Sequence, residues 1–169
     1  ILRCLPAIDR PALNPLVIAL RMADLTTKRY LIEALGRIGY VQAAPYLRQL
    51  MEDEQTPHEV RSVAQAALDA IGQRATATAL PASAAEAFFA LAQDYYNDQA
   101  SLAADVRLDT ANVWYWRDDM LQNVPVPTAI FNEIMCLRCC EEALRLKPDY
   151  KEPLALWLAA NFRRAAQVP

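Results

Sequence analysis

Three of the chain's four cysteines crowd into Cys136-x-x-Cys139-Cys140, the group whose residue types could most readily do chemistry. Zinc needs about four ligands, usually supplied as two pairs. Only Cys4 and the single histidine, His58, remain to complete such a set, and both lie far upstream. Neighbouring cysteines on one helix are poorly placed to bridge each other. The expectation is therefore reduced thiols in a cytoplasmic protein. His58 follows Pro57 and precedes Glu59, without a nucleophile nearby in sequence. A general base works on a nucleophile and is oriented by a third group, so His58 reads as a polar residue at a helix start. Asp118-Asp119 and Glu141-Glu142 are chain neighbours, and neighbours on a helix or strand diverge. They do not form an acid–base pair across a substrate. Three glycines in all cannot build a phosphate-cradling loop. No catalytic set, metal or cofactor follows from these residues, and the chain reads as a non-enzyme.

The elements around these residues are helical. Leu13, Leu16, Val17 and Leu20 recur at i, i+3, i+4, i+7, as do Leu31, Ala34, Leu35 and Ile38. Pro45 opens the next helix, where its missing N–H is harmless, and Tyr46, Leu47, Leu50 and Met51 supply its apolar stripe. Residues 52–57 form a polar turn, after which Val60, Val63, Ala64, Ala67, Leu68 and Ile71 restore the pattern. Leu35-Gly36-Arg37-Ile38-Gly39 is echoed by Leu68-Asp69-Ala70-Ile71-Gly72, a period of 33 residues (72 − 39). A period of that size marks stacked repeat units. Gly39 and Gly72 are both expected to end their helices in the left-handed conformation.

The stretch from about Leu13 to Gly72 resembles HEAT repeats, in particular the short bacterial type ending in Leu-Gly-x-Ile-Gly. The resemblance implies an α-solenoid of helical hairpins. It also implies a ladder of acid–arginine pairs, here Asp53 with Arg61 and, more loosely, Asp24 with Lys28. The period is lost in residues 74–83, a connector of small residues, threonines and Pro81. Ser83 then caps a new helix, with Glu86 completing a capping box.

Residues 84–169 resemble a tetratricopeptide-like repeat. Phe88, Leu91-Ala92 and Tyr95 fit its first helix. Cys136, Cys140, Ala143 and Pro148 fit a second helix running from Phe131 through Leu146. The resemblance makes those cysteines core residues, which suits cysteine as a small hydrophobe. A last helix, Glu152 to Ala166, has Leu154 and Trp157 in core places. The second helix comes late, so residues 98–130 form an insertion. Two β-prone runs, Val113-Trp114-Tyr115-Trp116 and Leu121 to Val126, flank a polar turn and predict a hairpin. Pro125 and Pro127 confine its second run to an edge or an early end. Similar insertions occur in bacterial proteins that combine the two repeat types, and that resemblance implies no activity.

The fold class is thus all-α: a HEAT-like segment over 1–73, a linker over 74–83, and a tetratricopeptide-like segment over 84–169 carrying one small β-hairpin. The repeat resemblance places Phe89, Gln93, Tyr96, Asn97, Phe162 and Arg163 on a concave groove. Trp114 and Trp116 share one side of their strand, with Tyr115 on the other. The tryptophans either join that groove or become core where the hairpin folds back. Aromatics with an amide and an arginine suit an extended peptide. The expected activity is a scaffold that binds a peptide or protein along the concave face. Short HEAT-like units also occur in lyases that attach bilin chromophores, which makes a cofactor-linked fragment the alternative. A structural spacer is a third reading.

Composition narrows the partners. The chain is 54% hydrophobic and 22% charged, with a net charge of −3. Residues 1–74 carry 9 basic and 8 acidic side chains, which leaves 8 and 12 for the remainder. Neither half has the basic excess that nucleic-acid binding requires. No apolar stretch approaches the roughly 20 residues that span a bilayer. The chain opens at Ile1 inside an apolar pattern, which reads as a fragment lacking its upstream segment.

Overall fold

The computed structural model describes residues 13–22, 24–74 and 80–167. Cys4, the apolar opening segment and the middle of the 74–83 connector lie outside the described residues. Among those described, seven α-helices and one two-stranded sheet form a mostly helical protein. The chain divides into two units, residues 1–80 with 114–122, and residues 81–113 with 123–169.

In the first unit α1 spans Leu13–Ala19, α2 Leu25–Ile38, α3 Ala44–Glu52 and α4 His58–Arg74. Asp24 caps α2, its carboxylate accepting the Thr27 N–H at 2.8 Å, and Pro45 stands in the first turn of α3. Helix α4 packs against both α2 and α3. It buries Val60, Ala64, Leu68 and Ile71 against Ile32, Leu35 and Leu47. Each large aliphatic side chain enclosed this way contributes about 1.5–3 kcal/mol. A Cβ on Gly36 would lie 3.0 Å from Ala67 Cα, so a glycine permits the close approach of α2 to α4.

The two echoed glycines have different conformations. Gly39 ends α2 at φ 79°, its N–H donating to Leu35 O at 3.0 Å. Gly72, expected to do the same, instead lies inside α4, which continues to Arg74. The two additional residues let Arg74 donate from Nη1 to the carbonyls of Gly36 (3.3 Å) and Arg37 (2.5 Å). Those are end-of-helix carbonyls with no partner within α2.

The acid–arginine ladder does not form. Asp53 accepts from Gln55 N and Thr56 Oγ1, both at 3.0 Å, stitching the 52–57 turn to itself. Arg61 keeps a buried Nε without a partner. Asp24 is occupied as a cap, and Arg29 meets Glu59 at 3.8 Å on the surface. Exposed pairs of this kind contribute little.

In the second unit α5 spans Ala84–Tyr96, α6 Phe131–Leu146 and α7 Lys151–Gln167. The capping box is present: Ser83 Oγ accepts the Glu86 N–H at 3.2 Å, and Glu86 Oε2 accepts the Ser83 N–H at 3.3 Å. Helix α6 packs on α5 and on α7, enclosing Phe88, Ala92, Tyr95, Phe131, Met135, Cys136, Cys140 and Ala143. On α7 the core positions differ from expectation. Leu154 is exposed, while Pro153 and Ala160 are buried. Trp157 is half-buried with Nε1 donating to Glu141 Oε1 at 3.1 Å.

The insertion contains β1, Thr110–Arg117, and β2, Met120–Pro127. Asp118 and Asp119 adopt φ 52° and 55°, the two left-handed residues of a type I′ turn. Arg117 therefore pairs with Met120 through hydrogen bonds, and alternate pairs along the ladder do the same. Pro125 and Pro127 fall in the other pairs, where the backbone nitrogen points away from β1. Residues 114–122 group with the first unit, and Trp114, Trp116 and Leu121 pack against its core. Thr128 closes the hairpin's base, its N–H donating to Asp109 O and its hydroxyl to Leu108 O.

The two glycines respond oppositely to alanine. Gly39→Ala forces a left-handed residue and sets a Cβ 2.7 Å from Arg74 Nη1, destabilising the protein by about 1–2 kcal/mol. Gly72→Ala meets only Leu80 Cδ1, at 3.7 Å, and stabilises by about 0.5–1 kcal/mol as a helix-interior change. Urea midpoints of the two variants check the opposite signs.

Candidate functional site

Tyr96 closes α5 and Arg163 lies in the last third of α7. Of the residues expected on one groove, these two are brought into contact, with the guanidinium carbon 4.2 Å from the ring centroid. Gln93 and Asn97 are exposed on α5, with Asn97 at its C-cap. Phe89 is half-buried, its ring edge-on to Tyr150 at 5.4 Å and so engaged within the second unit. Phe162 is largely exposed. Trp114 and Trp116 belong to the first unit and are half-buried on its core.

Three residues that sequence reasoning did not single out complete the surroundings of Arg163. Glu133 is 2% exposed, and its Oε1 stands 2.7 Å from Arg163 Nε. It lies in the first turn of α6, where the positive end of the helix dipole favours a carboxylate. Asp98 approaches Arg163 Nη1 at 3.5 Å and accepts from Asn132 Nδ2 at 2.7 Å. It ends α5 in the left-handed conformation, φ 53°. The readable signal was an acid, Glu133, between Phe131 and Met135 on a helix whose other inward residues are apolar or thiol.

This arrangement is charged and imperfectly hydrogen-bonded. The Glu133–Arg163 contact is an ion pair without an aligned N–H···O bond. Glu133 Oε2, Arg163 Nη2 and Asn132 Oδ1 are buried without partners. Two carboxylates share one guanidinium. Asp94, one turn before Asp98, is held above the usual carboxylate range by burial. With its amide oriented to donate, Gln99 reaches Asp94 Oδ1 at 2.9 Å.

Cys136, Cys139 and Cys140 are buried and not joined in disulfides. A Cys140–Cys136 hydrogen bond lowers the Cys136 pKa, assisted by Arg163 and opposed by burial and Glu133. The same bond, with burial, raises that of Cys140. Burial raises Cys139. Enclosed thiols of this kind act as packing groups. Among the described residues no group of three His, Cys, Asp or Glu is placed to hold a metal ion. His58 begins α4, Asp118-Asp119 occupy the exposed hairpin turn, and Glu142 pairs with Arg145 at 2.8 Å.

Removing Arg163 leaves a carboxylate enclosed without compensation. Arg163→Ala should cost about 3 kcal/mol, and adding Glu133→Leu should restore part of that loss; urea unfolding of the single and double variants measures both. Elsewhere in the insertion, hydrogen bonds from the Arg107 side chain and N–H hold the Asp105 pKa down to about 2. A lowered carboxylate stabilises the fold above its unfolded pKa, and that contribution fades as pH falls toward about 2. Carboxyl NMR should find Asp105 half-ionised there, with Arg107→Ala returning it toward the ordinary aspartate value of 3.8.

Residues 13–93 match the family described as HEAT repeats. The match continues beyond Gly72, where the sequence echo ends, and takes in most of α5. No curated protein matches the chain, and no solved structure does. No helix among the described residues is long and apolar enough to cross a membrane.

Proposed function

We propose that this HEAT-repeat-containing chain is a non-catalytic protein-interaction module, one that holds a peptide or protein partner against a helical face and serves as a scaffold. HEAT repeats commonly mediate protein–protein interaction. The observation that carries the reading is the outer side of α7. Leu154, Leu158 and Phe162 are 50%, 46% and 76% exposed at successive i, i+4 positions. Residues four apart stack on one helix face, so the three make a continuous apolar ridge. Contiguous exposed apolar surface marks interaction sites more often than isolated apolar residues do.

Leu158→Asp with Phe162→Asp tests the reading, since both side chains lie outside the core. Affinity capture with quantitative mass spectrometry, wild type against variant, should show a protein retained by the first and depleted about tenfold or more by the second. Equal retention by both would remove α7 as the binding face. A visible absorption band in the purified protein would favour the chromophore-linked alternative instead.

A further inference from the structure

Helix α7 turns one long side outward. Leu154, Ala155, Leu158, Phe162 and Ala165 are all exposed, and they follow the three-and-four spacing of a helix that packs on an apolar partner. No charged residue interrupts the series, and Lys151 continues it at the N-terminal end. The series is also symmetric about Leu158: Leu154 and Phe162 stand four residues to either side, Lys151 and Ala165 seven. Beside it, the first turn of α7 carries an acid, Glu152, and the last turn a base, Arg164.

We infer that this face pairs with the same face of a second copy of the chain, the two α7 helices running antiparallel and meeting at Leu158. This rests on the protein-interaction reading and names the partner that covers the α7 ridge. Pairing about Leu158 sets Leu158 on Leu158 and Leu154 on Phe162 of the second copy, so each large side chain meets another. It brings Lys151 to the last turn of the facing helix, where carbonyls lack partners within the helix and the dipole is negative. It also brings the Glu152 end of each helix to the Arg164 end of the other. Parallel pairing would instead put Lys151 on Lys151 and align the two dipoles. Charge and symmetry together select the antiparallel copy. Such a contact uses one patch on both chains and closes at two.

Sedimentation equilibrium of the chain from about 10 to 500 µM, the range suited to a small interface, should show the mass rising from 18.9 kDa toward twice that value. Leu158→Asp, a change at an exposed position, should hold the chain at the single mass, with circular dichroism showing the helices intact. Cysteine cross-linking in a Cys4→Ser background reads the direction of pairing. Leu158→Cys should link to itself, whereas Leu154→Cys and Phe162→Cys should link to each other when mixed and neither to itself. A single-chain mass at every concentration, growth beyond two chains, a dimer that survives Leu158→Asp, or Leu154→Cys linking to itself would each overturn the inference. A chain that stays single, yet loses a captured protein on α7 substitution, would leave the broader reading standing, so the two fail separately.

Discussion

Enclosing the carboxylate of Glu133 is the constraint from which the second unit's arrangement follows. A charge taken out of water is tolerated only where other charges and dipoles replace the lost hydration. The first turn of α6 supplies a dipole, and Arg163 of α7 supplies the opposite charge. That requirement fixes how far α7 is rotated about its own axis. With Arg163 turned inward, Pro153 and Ala160 lie on the packed side and Leu154, Leu158 and Phe162 are carried outward. The exposed apolar ridge and the buried ion pair are thus two faces of one helical phase. Stacking of the guanidinium on Tyr96 extends the constraint to the end of α5.

The first unit is organised by a different economy of contacts. Helix α4 approaches α2 closely because Gly36 lacks a side chain where Ala67 lies against it. The same approach brings Arg74 to the end of α2, where Gly39 has turned the chain away and two carbonyls remain open. Helix end, glycine and arginine form one device, and the length of α4 is set by it. Ending α4 at Gly72 would leave the arginine outside the helix that aims it.

Much of this was legible in the sequence. The hairpin turn, the Ser83 capping box, the Gly39 terminus and the late start of α6 all rest on local rules: spacing, side-chain capping and turn chemistry. The contacts that sequence reading missed are non-local. Gly72 resembles Gly39 in its flanking residues, and only the position of α2 shows why α4 must continue. Asp53 fits the acid of a repeat ladder by alignment, but Thr56 and Gln55 are nearer and take its oxygens first. Leu154 has a core-like spacing, yet helical phase is decided by Arg163 and Glu133, thirty residues apart (163 − 133). Among the candidate site residues, the Tyr96–Arg163 contact joins two positions the repeat resemblance had put on one surface, while Asp98 and Glu133 carry no local motif.

The hairpin illustrates how a two-stranded insertion between helices can be kept from acting as a loose edge. Exposed strand edges invite further strands, and prolines on the outward-facing nitrogens remove donors from such an edge. Pro125 and Pro127 occupy those outward positions on β2, and neither disturbs the ladder to β1. Trp114, Trp116 and Leu121 share the opposite constraint: side chains on one face, all three against apolar core. An aromatic pair held that way contributes packing area to that core. The aromatic face of the insertion therefore anchors its tip against apolar core.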